Sequence, residues 1–309
     1  MAGRYHGISE YLKEKYKTKV YRLSLSSGCS CPNRDGRVGV GGCNFCSEGG
    51  SGDFAAEYTG YEVDDIAIQL EYAKSRVASK LKGVQDPKYI AYFQSYSNTY
   101  YKDDEDLQRL ERLYTNVISR PEICILSIGT RPDCIDDNVI KMLRRLSNVK
   151  PVWVELGLQT IHEKTAKSIN RGYELAVFDE AYNKLTAAGI DVIVHMILGL
   201  PGESKDMMLK SVKYLSDLSP TLFGIKLQLL HVLKGTRLAD EYVAHHFPVM
   251  ELDEYCDLVA ECIALLPDKT TVHRITGDGP KSLLIAPEWS ADKKRVINAL
   301  KRAVPGYGD

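Results

Sequence analysis

The chain has 309 residues, 44% of them hydrophobic, with 40 basic and 41 acidic side chains and a net charge of −1. That length supplies a full core for one large α/β domain or two smaller ones, and the charge balance makes no demand for nucleic acid. No apolar run reaches the roughly 18 residues a membrane span needs, and "MAGRYHGISEYLKEKYKTKV" lacks the apolar centre of a signal peptide, so a cytoplasmic protein with no membrane attachment is expected.

Residues 1–18, with tyrosines at 5, 11 and 16, read as an arm tied to the body. From there, short apolar runs rich in β-branched and aromatic residues alternate with amphipathic stretches. The runs at 20–25, 89–94, 122–128, 151–158, 191–200 and 222–230 predict six strands; helices are predicted near 63–82, 104–118, 136–147, 175–188 and 203–217. Successive βα units with nearly continuous apolar strands imply a parallel sheet covered by helices and joined by right-handed crossovers. Six units are too few for a closed eight-stranded barrel, so the expected fold is α/β, a partial (β/α)6 TIM-like barrel over 19–236. Beyond it, a helical segment at 252–267, a short strand at 271–276 and a last helix at about 290–303 form a small α+β extension, 237–309, packed on the barrel.

Four of the eight cysteines fall within "GCSCPNRDGRVGVGGCNFC", Gly28 to Cys46, beginning four residues past the first strand. Parallel α/β folds build their sites at that carboxyl end. Disulfides are rare in a reducing compartment, so clustered cysteines point to metal or redox chemistry. The set reads C-x-C-x11-C-x2-C. Structural zinc favours two separated C-x2–4-C pairs, and Cys29 with Cys31 makes a poor first half. The alternative places Cys31, Cys43 and Cys46 on three irons of a 4Fe–4S cubane, leaving the fourth iron open and Cys29 spare. Spacing alone leaves both readings standing.

These residues resemble the radical S-adenosylmethionine (SAM) superfamily, and "CPNRDG" with "GGCNFC" is similar to its YhcC/YtqA branch, itself related to the radical SAM part of the Elongator catalytic subunit. Further matching segments follow in order over roughly residues 4 to 303: "FQSYSNTY", "SIGTRPDC", "VWVELGLQT", "INRGY", "HMILGLPGES", "LLHVLKGT" and "RITGDGPKSLLIAPEWS". The superfamily's usual C-x3-C-x2-C is lengthened here, as it is in the branch, and Cys29 stands outside the pattern.

The resemblance implies an enzyme whose 4Fe–4S cluster, on Cys31, Cys43 and Cys46, chelates SAM and cleaves it with one electron to methionine and a 5'-deoxyadenosyl radical. The electron would come from a donor such as flavodoxin or ferredoxin. SAM contacts are then expected from Phe45 beside the adenine, from Gln94, Ser97 and Asn98 after the second strand, from Glu155 and Gln159 on and after the fourth, from His195, and from Leu200 at the "GLPGES" turn. A lone carboxylate inside "VWVELGLQ" is costly to bury without a partner, which favours a ligand contact for Glu155. Substrate candidates are Arg131, Lys226, Gln228, His231, Arg274 and Asp278. Each has a plainer competitor: packing for Phe45, a polar turn for Ser97 and Asn98, an ion pair with Asp133 for Arg131, a core histidine for His195. No residue is assigned a catalytic step.

Similarity to the Elongator subunit implies modification of the carbon-5 substituent of wobble uridine 34 in tRNA, with Tyr92, Tyr96, Tyr100 and Tyr101 available to stack an unpaired base. Two alternatives stand beside it: a radical SAM enzyme acting on a small metabolite, and a zinc-stabilised RNA-binding protein without catalysis.

Overall fold

The computed structural model describes residues 5–50, 55, 63–277 and 279–307. A helix, α1 (Ile8–Tyr16), precedes strand β1 (Val20–Leu25). Helix α2 (Val63–Val77), β2 (Lys88–Phe93), α3 (Asp104–Ile118), β3 (Ile123–Thr130), α4 (Asp137–Ser147) and β4 (Val152–Gln159) follow in alternation. Two helices, α5 (Glu163–Ser168) and α6 (Leu175–Ala187), lead to β5 (Asp191–Leu198), α7 (Lys205–Ser216) and β6 (Gly224–Leu229). The remainder is β7 (Val232–Leu233), α8 (Arg237–His245), α9 (Leu252–Ala264), β8 (Thr271–Arg274), β9 (Leu284–Ala286) and α10 (Lys293–Ala303), with β7 and β9 paired antiparallel.

The helices start where their caps direct. Asp103 accepts from the Asp106 amide at 2.9 Å, Asp136 from Val139 at 2.9 Å and Ser204 from Met207 at 3.3 Å, each satisfying an amide that the first turn leaves without a partner. Leu110, Tyr114, Val117 and Ile118 form the buried stripe of α3, and Val139, Met142, Leu143 and Leu146 that of α4. Each such side chain contributes about 1.5–3 kcal/mol on burial against the sheet.

The main sheet is parallel throughout, in the order β1-β2-β3-β4-β5-β6-β8. The six expected strands therefore stand in chain order, and the short strand placed by sequence in the C-terminal extension is hydrogen-bonded to β6 as a seventh. Four strong β residues carry no record of their partner, so pairing was beyond reach of the pattern. The sheet is curled. At ~4.8 Å per strand a flat sheet would hold β1 and β4 about 14 Å apart, yet Arg22 of β1 lies 3.3 Å from Glu155 of β4. The result is a partial barrel with helices outside and polar side chains within.

The arm closes the amino-terminal end of that barrel. Leu12 is buried in a small apolar cluster with Ile90, Ile125, Trp153 and Ile193, and Tyr11 and Phe223 pack against it. The Val272 amide donates to His6 O at 2.7 Å, and Gly7 bridges to Val272, so the arm also lies along the free edge of β8. One end of the barrel is thereby plugged with apolar side chains, leaving the carboxyl end as the open mouth.

Candidate active site

The insert between Cys31 and Cys43 folds back as a hairpin. Arg34 and Asp35 amides donate to Cys31 O, Asp35 bridges to Val40, and the Gly42 amide donates to Asn33 O at 2.7 Å. Gly41 and Gly42 both sit at φ 80°, a backbone region that side chains resist. A Cβ on Gly42 would also stand 2.8 Å from Arg34 Nε. The returning strand is fastened on its far side: Asn170 Nδ2 donates to Gly42 O at 2.7 Å and the Asn44 amide to Ile169 O at 3.0 Å. These bonds bring Cys43 and Cys46 back beside Cys31.

All three thiols border one cavity of about 330 Å³ at the mouth of the barrel. Burial raises the Cys31 thiol and pushes Cys43 up to about 12, while the Arg131 charge pulls both down. Asn33 Nδ2 lies 3.8 Å from Cys43 Sγ, and its Oδ1 is buried without a partner. Cys29 is elsewhere, in the main core, where burial pushes its thiol up to about 11.

Below the thiols the cavity has a polar floor. Glu155, Lys226 and Tyr92 are buried there, from β4, β6 and β2. Glu155 Oε1 accepts from Ser127 Oγ at 2.7 Å and lies 3.3 Å from Arg22 Nη1; its Oε2 accepts from His195 Nε2 at 2.6 Å and from Lys226 Nζ. Lys226 Nζ also lies 3.5 Å from Tyr92 Oη and 4.6 Å from its ring centroid. Burial alone would raise the Glu155 carboxyl, but Lys226 and Arg22 outweigh it and hold the group well below the usual carboxylate range. Burial, with Lys226 next, pushes His195 down to about 4, so its ring is neutral, with the proton on Nε2 facing the carboxylate.

The Radical SAM superfamily model matches residues 31–215 and the Radical_SAM C-terminal domain model residues 223–304. The chain belongs to the radical SAM superfamily. Within it, the chain is 42% identical to protein YtqA of Bacillus subtilis (strain 168), over 99% of this chain and 91% of that one. It is 26% identical to Elongator complex protein 3 of Schizosaccharomyces pombe, over 90% of this chain and 56% of that protein. Among solved structures its fold is similar to that of the archaeal Elp3 of Methanocaldococcus infernus, with TM-score 0.62, 17% identity, and coverage of 87% of this chain and 59% of that one.

The superfamily's cofactors are a 4Fe–4S cluster and SAM, and the radical SAM chain has a donor set that suits them. Its three thiols line one cavity together with the Arg131 guanidinium. The cavity also collects most of the positions expected from sequence: Phe45, Gln94, Ser97, Arg131, Glu155, Gln159, His195, Lys226, Gln228 and Arg274 all line it. Gln159 ends β4 at φ 65°, past a register shift in its pairing with β5, which is strain of the kind held at sites. Arg131 forms the anticipated two-pronged pair with Asp133, at 2.8 and 2.7 Å, and still reaches the cavity.

Three positions lie apart from it. Asn98 spends its amide on structure, accepting from Ser27 Oγ at 2.6 Å and donating to Phe93 O at 3.1 Å and Gly129 O at 2.8 Å. Leu200 packs in a second apolar cluster with Ile197 and Leu230. The His231 ring packs within 2.6 Å of where a Cβ on Gly277 would stand, and it does not line the cavity. Asp278 lies outside the described residues. Sequence reasoning passed over Arg22, Ser127 and Arg171. Arg22 interrupts the apolar strand "VYRLSL", a signal of the same kind as Glu155 in "VWVELGLQ". Buried Arg171 donates to Leu158 O at 3.2 Å and Thr160 O at 2.6 Å and lies over the Tyr173 ring at 4.4 Å. Tyr92, expected as a stacking platform, is sunk in the floor.

Proposed function

We propose that this radical SAM enzyme modifies the carbon-5 substituent of wobble uridine in tRNA, with Cys31, Cys43 and Cys46 holding the cluster. The carrying observation is the convergence of those three thiols on one cavity whose floor is a closed ionic network. When bound, the cluster and SAM supply one-electron reductive cleavage and hydrogen abstraction, the electron coming from a low-potential donor of the flavodoxin or ferredoxin type.

The chain's own residues do the rest. Gln94, Gln159 and the Ser97 region offer polar contacts at the strand ends for the amino and ribose groups of SAM, and Phe45 offers an apolar wall. Arg131 and Arg171 stiffen the mouth by clasping Tyr173 from 5.0 and 4.4 Å. Glu155 orients His195 and Lys226, so the reacting group would meet a preorganised surface and not water. Relatedness to Elongator complex protein 3 supports a tRNA substrate. So do two cation–aromatic pairs, Arg34 over the Tyr96 ring in the cavity lining and Arg37 over the Tyr100 ring in a separate pocket, both at 5.4 Å. Paired cations and aromatic faces suit phosphates and unstacked bases.

Anaerobic reconstitution with iron and sulfide, followed by reduction in the presence of SAM, is expected to yield 5'-deoxyadenosine. Mass spectrometry of tRNA nucleosides from a deletion strain is expected to show a changed wobble-uridine profile. SAM cleavage with an unaltered profile would redirect the reading to a small metabolite; zinc in place of iron and intact SAM would end it.

A further inference from the structure

A second cavity opens behind the carboxyl ends of β6 and β8. Gln228 lines the main cavity, whereas Leu229, on the opposite face of β6, lines another of about 150 Å³ together with Thr276. Its walls are aromatic, from Tyr255 of α9, Trp289 and Tyr307. Tyr255 Oη is spent on Leu227 O at 3.3 Å and Ile275 O at 3.1 Å, and Trp289 Nε1 on Met250 O at 2.9 Å, so what these two rings offer the cavity is apolar surface. Helix α10 contributes Lys293, Val296 and Ile297 to the lining. That helix, KKRVINALKRA, carries five cations and no acid. Lys293, Lys294 and Arg295 stand in its first turn, where the helix dipole opposes positive charge; Asp292 at the cap and Glu288 in the preceding turn are the acids nearest before them. Val296, Ala299 and Leu300 spend the apolar stripe on the core, which leaves too little of it for a lipid surface. Ile297 is nevertheless 38% exposed, and helical spacing sets Lys293, Lys294 and Lys301 around it.

We propose that α10 and this cavity form a second contact for single-stranded RNA, the cavity taking one pyrimidine base and the lysines around Ile297 the phosphates beside it. The RNA is the substrate of the function proposed above, on which this rests. Size sets the base: a cavity of about 150 Å³ holds a single six-membered ring, and a purine is too large for it. Chemistry sets the class, because aromatic walls stack a base while cations around an apolar rim select a ligand that is both flat and anionic. Thr276 and Ser290 bring hydroxyls to the same lining for the edge of the base.

The test measures affinity by fluorescence polarisation, with a labelled tRNA anticodon stem–loop and with versions in which each loop pyrimidine outside the wobble position is made abasic in turn. The reconstituted wild type is expected to lose about ten-fold at one of these positions. Ile297→Trp fills the cavity; it is expected to bind the intact loop about ten-fold more weakly and to lose nothing further at that position. Lys294→Gln is expected to keep the abasic effect and to lower the slope of log affinity against log salt by about 0.7. Iron content and SAM cleavage without RNA report an intact fold, and should Ile297→Trp fail that check, Tyr307→Ala decides by the same comparison. The absence of any sensitive pyrimidine, or an abasic loss that survives Ile297→Trp, overturns the inference. So does an Ile297→Trp protein that binds every loop as the wild type does, which would hand the cavity to a protein side chain or a small aromatic molecule. The proposed function fails separately. A cavity-dependent pyrimidine beside an unaltered wobble-uridine profile in the deletion strain keeps this site and removes that reading; an altered profile with RNA binding blind to Ile297→Trp removes this site alone.

Discussion

Glu155 and Lys226 are each buried to 1% exposure and depend on one another for charge compensation. Among the described residues Glu155 is the only carboxylate paired with Lys226, whereas Glu155 keeps Arg22 and His195 when Lys226 is lost. Glu155→Gln is therefore expected to cost about 3–5 kcal/mol in urea unfolding, because it leaves the buried Lys226 without a carboxylate, and adding Lys226→Met to recover most of it. A double variant no more stable than the single one would mean that the pair is not coupled. His195 gives the floor a pH dependence of defined sign. Its pKa is pushed from 6.5 to about 4 in the native state, so between those values the unfolded chain binds the extra proton. Stability is complete above pH 6.5, falls as pH drops through that window, and levels off below 4. At ~1.4 kcal/mol per pKa unit the loss amounts to about 3 kcal/mol, and His195→Gln is expected to flatten it. Unfolding free energies at about pH 7 and about pH 4.5 measure both.

At the scale of elements, the hairpin of residues 32–42 converts a long spacing into a short distance. Its cross-bonds and its anchors at Ile169 and Asn170 allow eleven residues to separate Cys31 from Cys43 in sequence while both face one cavity. Cys29 precedes the hairpin and is turned into the core. After anaerobic reconstitution, Cys29→Ala is expected to keep about four irons per chain, and Cys31→Ala, Cys43→Ala and Cys46→Ala each to lose the cluster's visible absorbance. Retention by any of the last three, or loss in the first, would reassign the ligand set. Helix placement follows simpler rules: Asp103, Asp136 and Ser204 each cap the helix that their position announces.

Across the whole molecule, the two ends of the barrel do different work. The closed end rests on the arm, where Leu12 is 7% exposed against Trp153 and its neighbours. Leu12→Asp puts an unpaired carboxylate there and is expected to destabilise the fold by about 3 kcal/mol or more, visible as a lowered unfolding midpoint. In the proposed function the open end meets the substrate, and with a net charge of −1 the tRNA affinity which that reading requires comes from local cations. Arg37→Gln is expected to weaken tRNA binding at moderate salt and to reduce the slope of log affinity against log salt by about 1. An unchanged slope would remove Arg37 from the phosphate contacts.

Strand and helix identities and the parallel sheet were legible in the amino-acid order alone, because apolar period and cap residues are local properties. Glu155 was legible as an anomaly, since a carboxylate within an apolar strand demands a partner. What that partner is could not be read there: Arg22, His195 and Lys226 come from three other strands, and only the curl of the sheet brings them within reach. The same closure admitted β8 to the barrel and brought Arg274 to the cavity, while Asn98 and Leu200 do not line it. Side-chain chemistry is written along the chain, but which charges meet is settled by distances across the barrel.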